Sequence, residues 1–187
     1  MPARPTDILG EEHRLIEKVI TATGILHARL GRDEPVAPDI LQNLGEFFRV
    51  FVDRYHQAKE ESCLWPALRE NGLSPQECPL ADVVAGHKRS CDLFAEYAGR
   101  SRAYIETRGA AKQPLAVILR DLAAGYSGLL WEEDHLLFPI ANKILRASDQ
   151  QNLLKRFASM DMERGRPWCR GFEHLAAEIQ RPTERSF

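Results

Sequence analysis

The stretch that decides the fold is His56-Gln-Ala-Lys-Glu-Glu-Ser-Cys-Leu-Trp-Pro66, because its pattern returns at Leu129-Leu-Trp-Glu-Glu-Asp-His-Leu-Leu-Phe-Pro139. A histidine precedes each copy, His13 by 43 residues and His87 by 42. The glutamates, the leucine and the proline of the two copies coincide, but the histidine that opens the first copy is a leucine in the second. Histidines and glutamates repeated at helical spacing predict a metal site inside a helical protein.

Length and composition predict one ordinary globular domain over residues 1–187. Hydrophobic residues make up 44% and charged residues 28% of the chain, as is typical of globular proteins, and the net charge is −2. The mixed charges exclude a polybasic surface for nucleic acid or for a membrane. The chain begins without an apolar signal segment and contains no apolar run of membrane-spanning length, so we expect a cytoplasmic protein.

The four cysteines predict free thiols rather than a metal site. Cys63, Cys78, Cys91 and Cys169 form no C-x-x-C pair and have no zinc-ribbon spacing. In a reducing compartment such cysteines remain unpaired. The candidate ligands are therefore histidines and carboxylates.

Apolar residues recur every three to four positions along the whole chain, which predicts an all-α fold. We expect the first helix to begin at an N-cap provided by Thr6 or Asp7. The apolar stripe of the third helix is expected to include Val84 and Cys91. Three segments rich in glycine or proline, residues 31–38, 74–79 and 109–114, are expected to separate four long helices.

Four long helices joined by short loops predict an up-down-up-down four-helix bundle over residues 6–146. Residues 147–187 are expected to form a C-terminal extension of one or two helices, packed on or across this bundle. Pro66 and Pro139 occupy matching places in the repeat. Each is expected to kink its helix or to end its regular part.

The candidate ligands lie on the faces of these helices that must point inward. Residues four apart share a helical face, so His56 and Glu60 are neighbours on an apolar stripe. His13, His87 and Glu133 fall on the apolar stripes of the other three helices. Because an unpaired carboxylate in an apolar core is very costly, Glu60 and Glu133 predict a cation between them. Imidazole and carboxylate ligands suit iron, with manganese or zinc as alternatives.

The repeated pattern of a distant histidine, H-x-x-x-E-E and L-[FW]-P resembles the hemerythrin-like (HHE cation-binding) family. The resemblance covers the four long helices and implies two non-haem irons inside the bundle. It implies that His13 and His56 bind one iron and that His87 binds the other. Glu60 and Glu133 would bridge the two ions.

The chain departs from the family at Leu129, where the resemblance implies a histidine, and this leaves one ligand position vacant. His135 lies about 200° around the helix from Glu133, so it is expected to point away from the core. Tyr126 shares the inward stripe and is expected to pack in the core, to bind ferric iron as a phenolate, or to hydrogen-bond a ligand. Cys63 and Cys91 lie one turn from the site as small core residues or redox-active thiols.

Three functions remain open. The resemblance favours a mono- or dinuclear iron protein that binds or senses a small ligand such as dioxygen, nitric oxide or peroxide. The first alternative is a di-iron redox enzyme that acts on peroxide or nitric oxide. The second alternative is a helical scaffold whose metal site has decayed. The sequence leaves open the oligomeric state and the partner protein that a sensor would need.

Overall fold

The computed structural model describes residues 3–164 and 166–184, without the side chains of residues 164–169 and those from 182 onward. The described residues form six helices and no strand. The all-α prediction is therefore confirmed for this part of the chain. No described helix is long and apolar enough to cross a membrane. Three of the predicted free thiols are confirmed, and Cys169 lies outside the described side chains.

The helices follow one another with short connections. Helix α1 is Pro5–Gly31, α3 is Leu80–Glu106, α5 is Ala147–Arg164 and α6 is Arg166–Glu184. Helix α2 covers residues 38–70 and consists of α-helical Pro38–Glu46, π-helical Phe47–Gln57 and Glu60–Leu64, and α-helical Trp65–Glu70. Helix α4 covers residues 112–144 and consists of Lys112–Glu132, π-helical Glu133–Leu137 and Phe138–Ile144.

The apolar faces of the first four helices meet in one core. Helix α4 packs along both α1 and α3, and α2 contacts α1 and α3. Helix α6 lies against α1 and α2, where the ring of Phe172 packs 5.5 Å from that of Phe51. Helix α5 contacts α2 and α1. The two C-terminal helices therefore bury one flank of the core rather than standing apart from it.

The first helix begins earlier than predicted. Its N-cap is Arg4 rather than Thr6 or Asp7, and Pro5 occupies the first helical turn. A proline is favoured there because its fixed φ suits the helix and its missing N–H would be unpaired anyway. Asp7 consequently lies inside the first turn, where its carboxylate accepts a hydrogen bond of 2.7 Å from the Arg4 backbone N–H.

The π-helical turns stand immediately before the two prolines. Pro66 and Pro139 are in the first turn of the α-helical segments that follow those turns, so both helices continue through their prolines. A proline cannot donate to the carbonyl four residues earlier. For Pro66 that carbonyl belongs to Ser62, and it accepts a hydrogen bond of 2.6 Å from the Arg156 guanidinium on α5. The departure from α-helical geometry thus precedes each proline instead of following it.

The expected apolar stripe of α3 is narrower than predicted. Val84 is 36% exposed, and Cys91 is exposed with its Sγ 3.7 Å from Asp53 Oδ1. At 100° per residue these two positions lie about 100° and 80° from Val83, which is fully buried. Helix α4 covers the centre of the stripe and leaves its margin open, so the prediction that Cys91 is a core residue is wrong.

Lys59 is completely buried and connects three helices. Its ammonium group lies 2.5 Å from Glu12 Oε1 on α1 and 2.8 Å from Asp161 Oδ1 on α5. It also donates to the Tyr55 hydroxyl at 2.7 Å. A buried ammonium with three oxygen partners is satisfied, but each partner depends on it.

Substitution of Lys59 by methionine should lower the free energy of unfolding by about 3–5 kcal/mol, because the nearly buried Glu12 carboxylate loses its cation. Denaturant unfolding of the metal-free protein measures the change. The matched control is Arg100→Met, which removes an exposed ion pair with Glu96 and should cost less than about 1 kcal/mol. Equal effects of the two substitutions would contradict a role for Lys59 in joining the helices.

Candidate metal centre

Three helices bring four potential metal ligands to one point in the core. His13 comes from α1, His56 and Glu60 from α2, and Glu133 from α4. Each offers one ligand atom, and these atoms all lie within 4.8 Å of one another. All four side chains are buried. His56 lies in the first π-helical segment, and Glu60 and Glu133 are the first residues of the other two. Three of the four residues are therefore positioned by backbone that departs from α-helical geometry.

The separations of the ligand atoms match those around a metal ion. His13 Nε2 lies 3.2 Å from His56 Nε2 and 3.2 Å from Glu133 Oε2. His56 Nε2 lies 3.7 Å from Glu60 Oε2. With metal–ligand distances of about 2.1 Å, neighbouring ligand atoms are about 3.0 Å apart in an octahedron and about 3.4 Å apart in a tetrahedron. These three separations are close to the distances between neighbouring ligands of one ion.

His87 of α3 contacts the same two carboxylates. Its Nε2 lies 3.0 Å from Glu133 Oε1 and 3.2 Å from Glu60 Oε2. Glu133 thus presents one oxygen to His13 and the other to His87. The structure brings together all five residues predicted as ligands, and the two carboxylates lie between the histidine of α3 and those of α1 and α2.

Each of the three histidines donates its outer ring N–H to a carboxylate. The pairs are His13 Nδ1 with Asp134 at 2.8 Å, His56 Nδ1 with Glu12 at 2.9 Å and His87 Nδ1 with Glu61 at 2.9 Å. Metal-binding histidines almost always have such a partner, which fixes the ring and makes the inner nitrogen a better donor. Sequence reasoning gave these three carboxylates no role, although each stands directly beside a predicted ligand in the chain.

The inward-facing atoms of the cluster include more hydrogen-bond acceptors than donors. With Nδ1 protonated, neutral His13 and His56 direct their Nε2 lone pairs at each other across 3.2 Å. Both oxygens of Glu60 and Oε2 of Glu133 are buried without a hydrogen bond of normal geometry, although an imidazole Nε2 lies 3.2 Å from Glu60 Oε2 and from Glu133 Oε2. Buried polar atoms of this kind are rare, and several together call for a cation.

Protons serve as that cation in the metal-free protein. Burial lowers the pKa of His13, but the carboxylates of Asp134 and Glu133 outweigh it and raise the pKa to about 10. Burial likewise opposes the rise in the pKa of His87, which Glu133 and Glu60 raise well above its ordinary value. Burial raises the pKa of Glu133, but the two histidines outweigh it and lower that pKa. The surroundings of the metal-free centre therefore favour the protonated form of His13 and of His87.

Aromatic rings cover two of the histidines. Phe138 stacks on the ring of His13 with centroids 5.2 Å apart, and Trp65 lies tilted over the ring of His87 at 4.7 Å. Both aromatic residues directly precede the prolines of the repeat. They limit the orientations of the imidazole rings and exclude water from them.

Leu129 packs its hydrocarbon side chain against the backbone at Gly86. It is buried, and its Cδ1 would lie 2.6 Å from a Cβ at Gly86. Gly86 directly precedes His87, as Glu12 precedes His13. The first half of the protein therefore has a histidine supported by Glu12, and the second half has a leucine packed on a glycine.

The other candidates lie in different surroundings. Cys63 is buried, with its Sγ 3.9 Å from Met160 Sδ on α5. Cys91 is on the exposed margin of α3. His135 is exposed, and its ring stacks on Trp131 with centroids 5.0 Å apart. The structure does not bring these three side chains into the cluster of four.

Tyr126 lies inside the core within the electrostatic range of the cluster. Burial, followed by the negative charges of Glu133 and Glu60, raises its pKa well above the ordinary value. The Gln57 amide is close enough to act on this pKa, but neither it nor the hydroxyl makes a hydrogen bond of normal geometry. Gln57 was not singled out by sequence reasoning.

Comparison of the chain with models of protein families, with curated proteins and with solved structures finds no match in any of the three. The resemblance to hemerythrin-like proteins therefore rests on the repeated motif. The chemistry of the centre rests on the geometry of its own residues.

Metal binding at pH 7 should release about one to two protons per chain, because His13 and His87 hold protons that the ion must displace. Raising the pH toward 10 should tighten binding, since fewer imidazoles then remain protonated. Calorimetry in buffers of different ionisation enthalpy counts the protons. The exposed His135, changed to glutamine, is the control and should leave the count unchanged. Metal uptake without proton release would show that the histidines are already neutral.

Proposed function

We propose that the protein is a hemerythrin-like non-haem iron protein that binds or senses a small ligand such as dioxygen, nitric oxide or peroxide. In this proposal α1 to α4 form an up-down-up-down four-helix bundle, and α5 and α6 are its extension. The observation that carries the proposal is the convergence of five buried histidines and carboxylates on one point, where neither oxygen of Glu60 accepts a hydrogen bond of normal geometry.

The donor set of this chain fits a metal ion. The Glu60 carboxylate is fully buried, and its Oε2 lies 3.2 Å from His87 Nε2 and 3.7 Å from His56 Nε2, but neither oxygen accepts a hydrogen bond of normal geometry. Leaving a charge in that state costs several kcal/mol, which a divalent cation offsets. Mixed imidazole and carboxylate ligands suit iron, manganese and zinc, and the family resemblance favours iron.

The ligands divide unequally between two positions. His13 and His56, with oxygens from Glu60 and Glu133, would hold the first ion. His87 with the same two carboxylates would hold a second, more weakly because it has one imidazole instead of two. A ferrous ion held by these residues would supply the affinity for dioxygen or nitric oxide.

The surrounding residues orient the ligands and keep water away. The hydrogen bonds from His13 and His56 to Asp134 and Glu12 direct both Nε2 atoms inward. Phe138 covers the His13 ring on its open face. An apolar surrounding lowers the local dielectric, which strengthens the binding of charged ligands and slows their loss to water.

A di-iron redox enzyme is the second candidate, and the position of Glu133 favours it. The carboxylate contacts His13 through one oxygen and His87 through the other, as a bridge between two ions requires. Turnover of peroxide or nitric oxide by the iron-loaded protein would support this candidate. Reversible binding without turnover would support the sensor or carrier.

Purified without chelators, or loaded with ferrous iron, the protein should contain about one ion per chain or more. Glu60→Gln should weaken iron binding by about tenfold or more, because it removes a charged ligand shared by both positions. Elemental analysis and equilibrium dialysis measure these quantities. Lys155→Gln, on α5, is a control of surface charge. A metal content far below one per chain in the wild type would favour the decayed scaffold.

Restoring the missing histidine should increase the metal content. Leu129→His alone lacks the carboxylate that Glu12 gives His56, so the increase should be small. The double variant Gly86→Glu/Leu129→His supplies both groups and should approach about two ions per chain. Elemental analysis together with the iron absorption spectrum tests this. Metal contents equal to that of the wild type in both variants would show that the second position is built differently.

A further inference from the structure

Three polar atoms in the core beside the candidate metal centre make no hydrogen bond of normal geometry, although the Gln57 amide is close enough to the Tyr126 hydroxyl to affect its pKa. They are the hydroxyl oxygen of Tyr126 and the amide nitrogen and oxygen of Gln57. The two side chains are 2% and 1% exposed. An unpartnered buried amide or hydroxyl costs about 1–3 kcal/mol, so three such atoms in one place point to a polar ligand.

Both residues are placed by the elements that carry the metal ligands. Gln57 directly follows His56 at the end of the first π-helical segment. Tyr126 lies on α4 two helical turns before Glu133, on the same inward face. The ring of Phe94 packs 6.0 Å from that of Tyr126 and gives the phenol an apolar neighbour.

We propose that Tyr126 and Gln57 form the polar seat for the exogenous ligand of the centre, which is a small anion of the azide or peroxide class. The proposal rests on the proposed function, since the anion needs the positive charge of the metal. Tyr126 donates its O–H and Gln57 donates an amide N–H to the ligand. The Gln57 carbonyl oxygen accepts from a ligand that carries a proton.

The seat explains why polar groups stand where packing alone requires none. In the repeat, Gln57 corresponds to Leu130, which is buried, so the second half fills the equivalent place with hydrocarbon. Small anions accept hydrogen bonds, and burying one at a site without donors is costly because its lost hydration is not replaced. Two donors fixed inside the core favour an anion over a neutral diatomic such as nitric oxide.

Azide binding to the iron-loaded full-length protein tests the seat. Tyr126→Phe and Gln57→Leu should each weaken the affinity for azide by about tenfold, because each removes one hydrogen bond to a charged ligand. The iron content of both variants should equal that of the wild type. The control is Tyr97→Phe, which removes an equally buried hydroxyl that donates to the Leu41 carbonyl at 2.7 Å. Its azide affinity should not change.

Thermal unfolding of the metal-free variants gives a second reading that needs no iron. Tyr97→Phe loses a hydrogen bond and should melt about 3 °C below the wild type. Tyr126→Phe removes a buried hydroxyl that makes no hydrogen bond of normal geometry and should melt at or above the wild type. A fall for Tyr126→Phe equal to that of the control would show a structural partner and overturn the seat.

The outcomes separate the seat from the metal centre. Unchanged azide affinity in iron-loaded Tyr126→Phe and Gln57→Leu overturns the seat and leaves the iron site standing. Loss of iron from Tyr126→Phe overturns it as well, because the phenol would then be a ligand. Wild-type protein that takes up no iron overturns the proposed function and the seat together.

Discussion

The interior of this protein depends on two carboxylates, Glu60 and Glu133, held where water cannot reach them. Their charge determines what can surround them: imidazoles that carry a proton or share a metal ion, and behind the imidazoles further carboxylates that balance that charge. The cost of leaving these carboxylates unpaired couples the helices that bring the imidazoles to them. A bound cation would reduce the same cost, so cation binding would be coupled to the stability of the core.

Each copy of the repeat contacts the histidine that precedes the other copy. Each copy supplies a carboxylate and an aromatic ring to the distant histidine of the other copy: Glu61 and Trp65 serve His87, while Asp134 and Phe138 serve His13. Where the repeat fails, it fails at a contacting pair. Glu12 and His56 form a hydrogen bond in one half, and Gly86 and Leu129 form a close apolar contact in the other. Because Leu129 stands in place of a histidine and Gly86 in place of a glutamate, this part of the core is packed and contains no carboxylate without a partner imidazole.

Sequence periodicity was sufficient to predict the helices and the inward-facing positions of the candidate ligands. The spacing of four between His56 and Glu60 places both on one face whatever the rest of the chain does. The carboxylates behind the histidines were not predictable in this way, since each acts across to a different helix. Lys59 stands among charged residues and reads as solvated, but α5 brings Asp161 over it and buries it completely. The position of the Tyr126 hydroxyl, buried without a hydrogen bond of normal geometry, is likewise a property of the assembled core.

The C-terminal helices have a physical connection to the centre. Asp161 on α5 lies 2.8 Å from the Lys59 ammonium, which lies 2.5 Å from one oxygen of Glu12. The other oxygen of Glu12 accepts the hydrogen bond from His56 Nδ1 at 2.9 Å. Each of these contacts joins groups that are charged or strongly polar, and all except Asp161 are largely excluded from water. The orientation of the His56 ring therefore depends on Lys59 holding Glu12 in place, and Lys59 is held in turn by a helix outside the repeat.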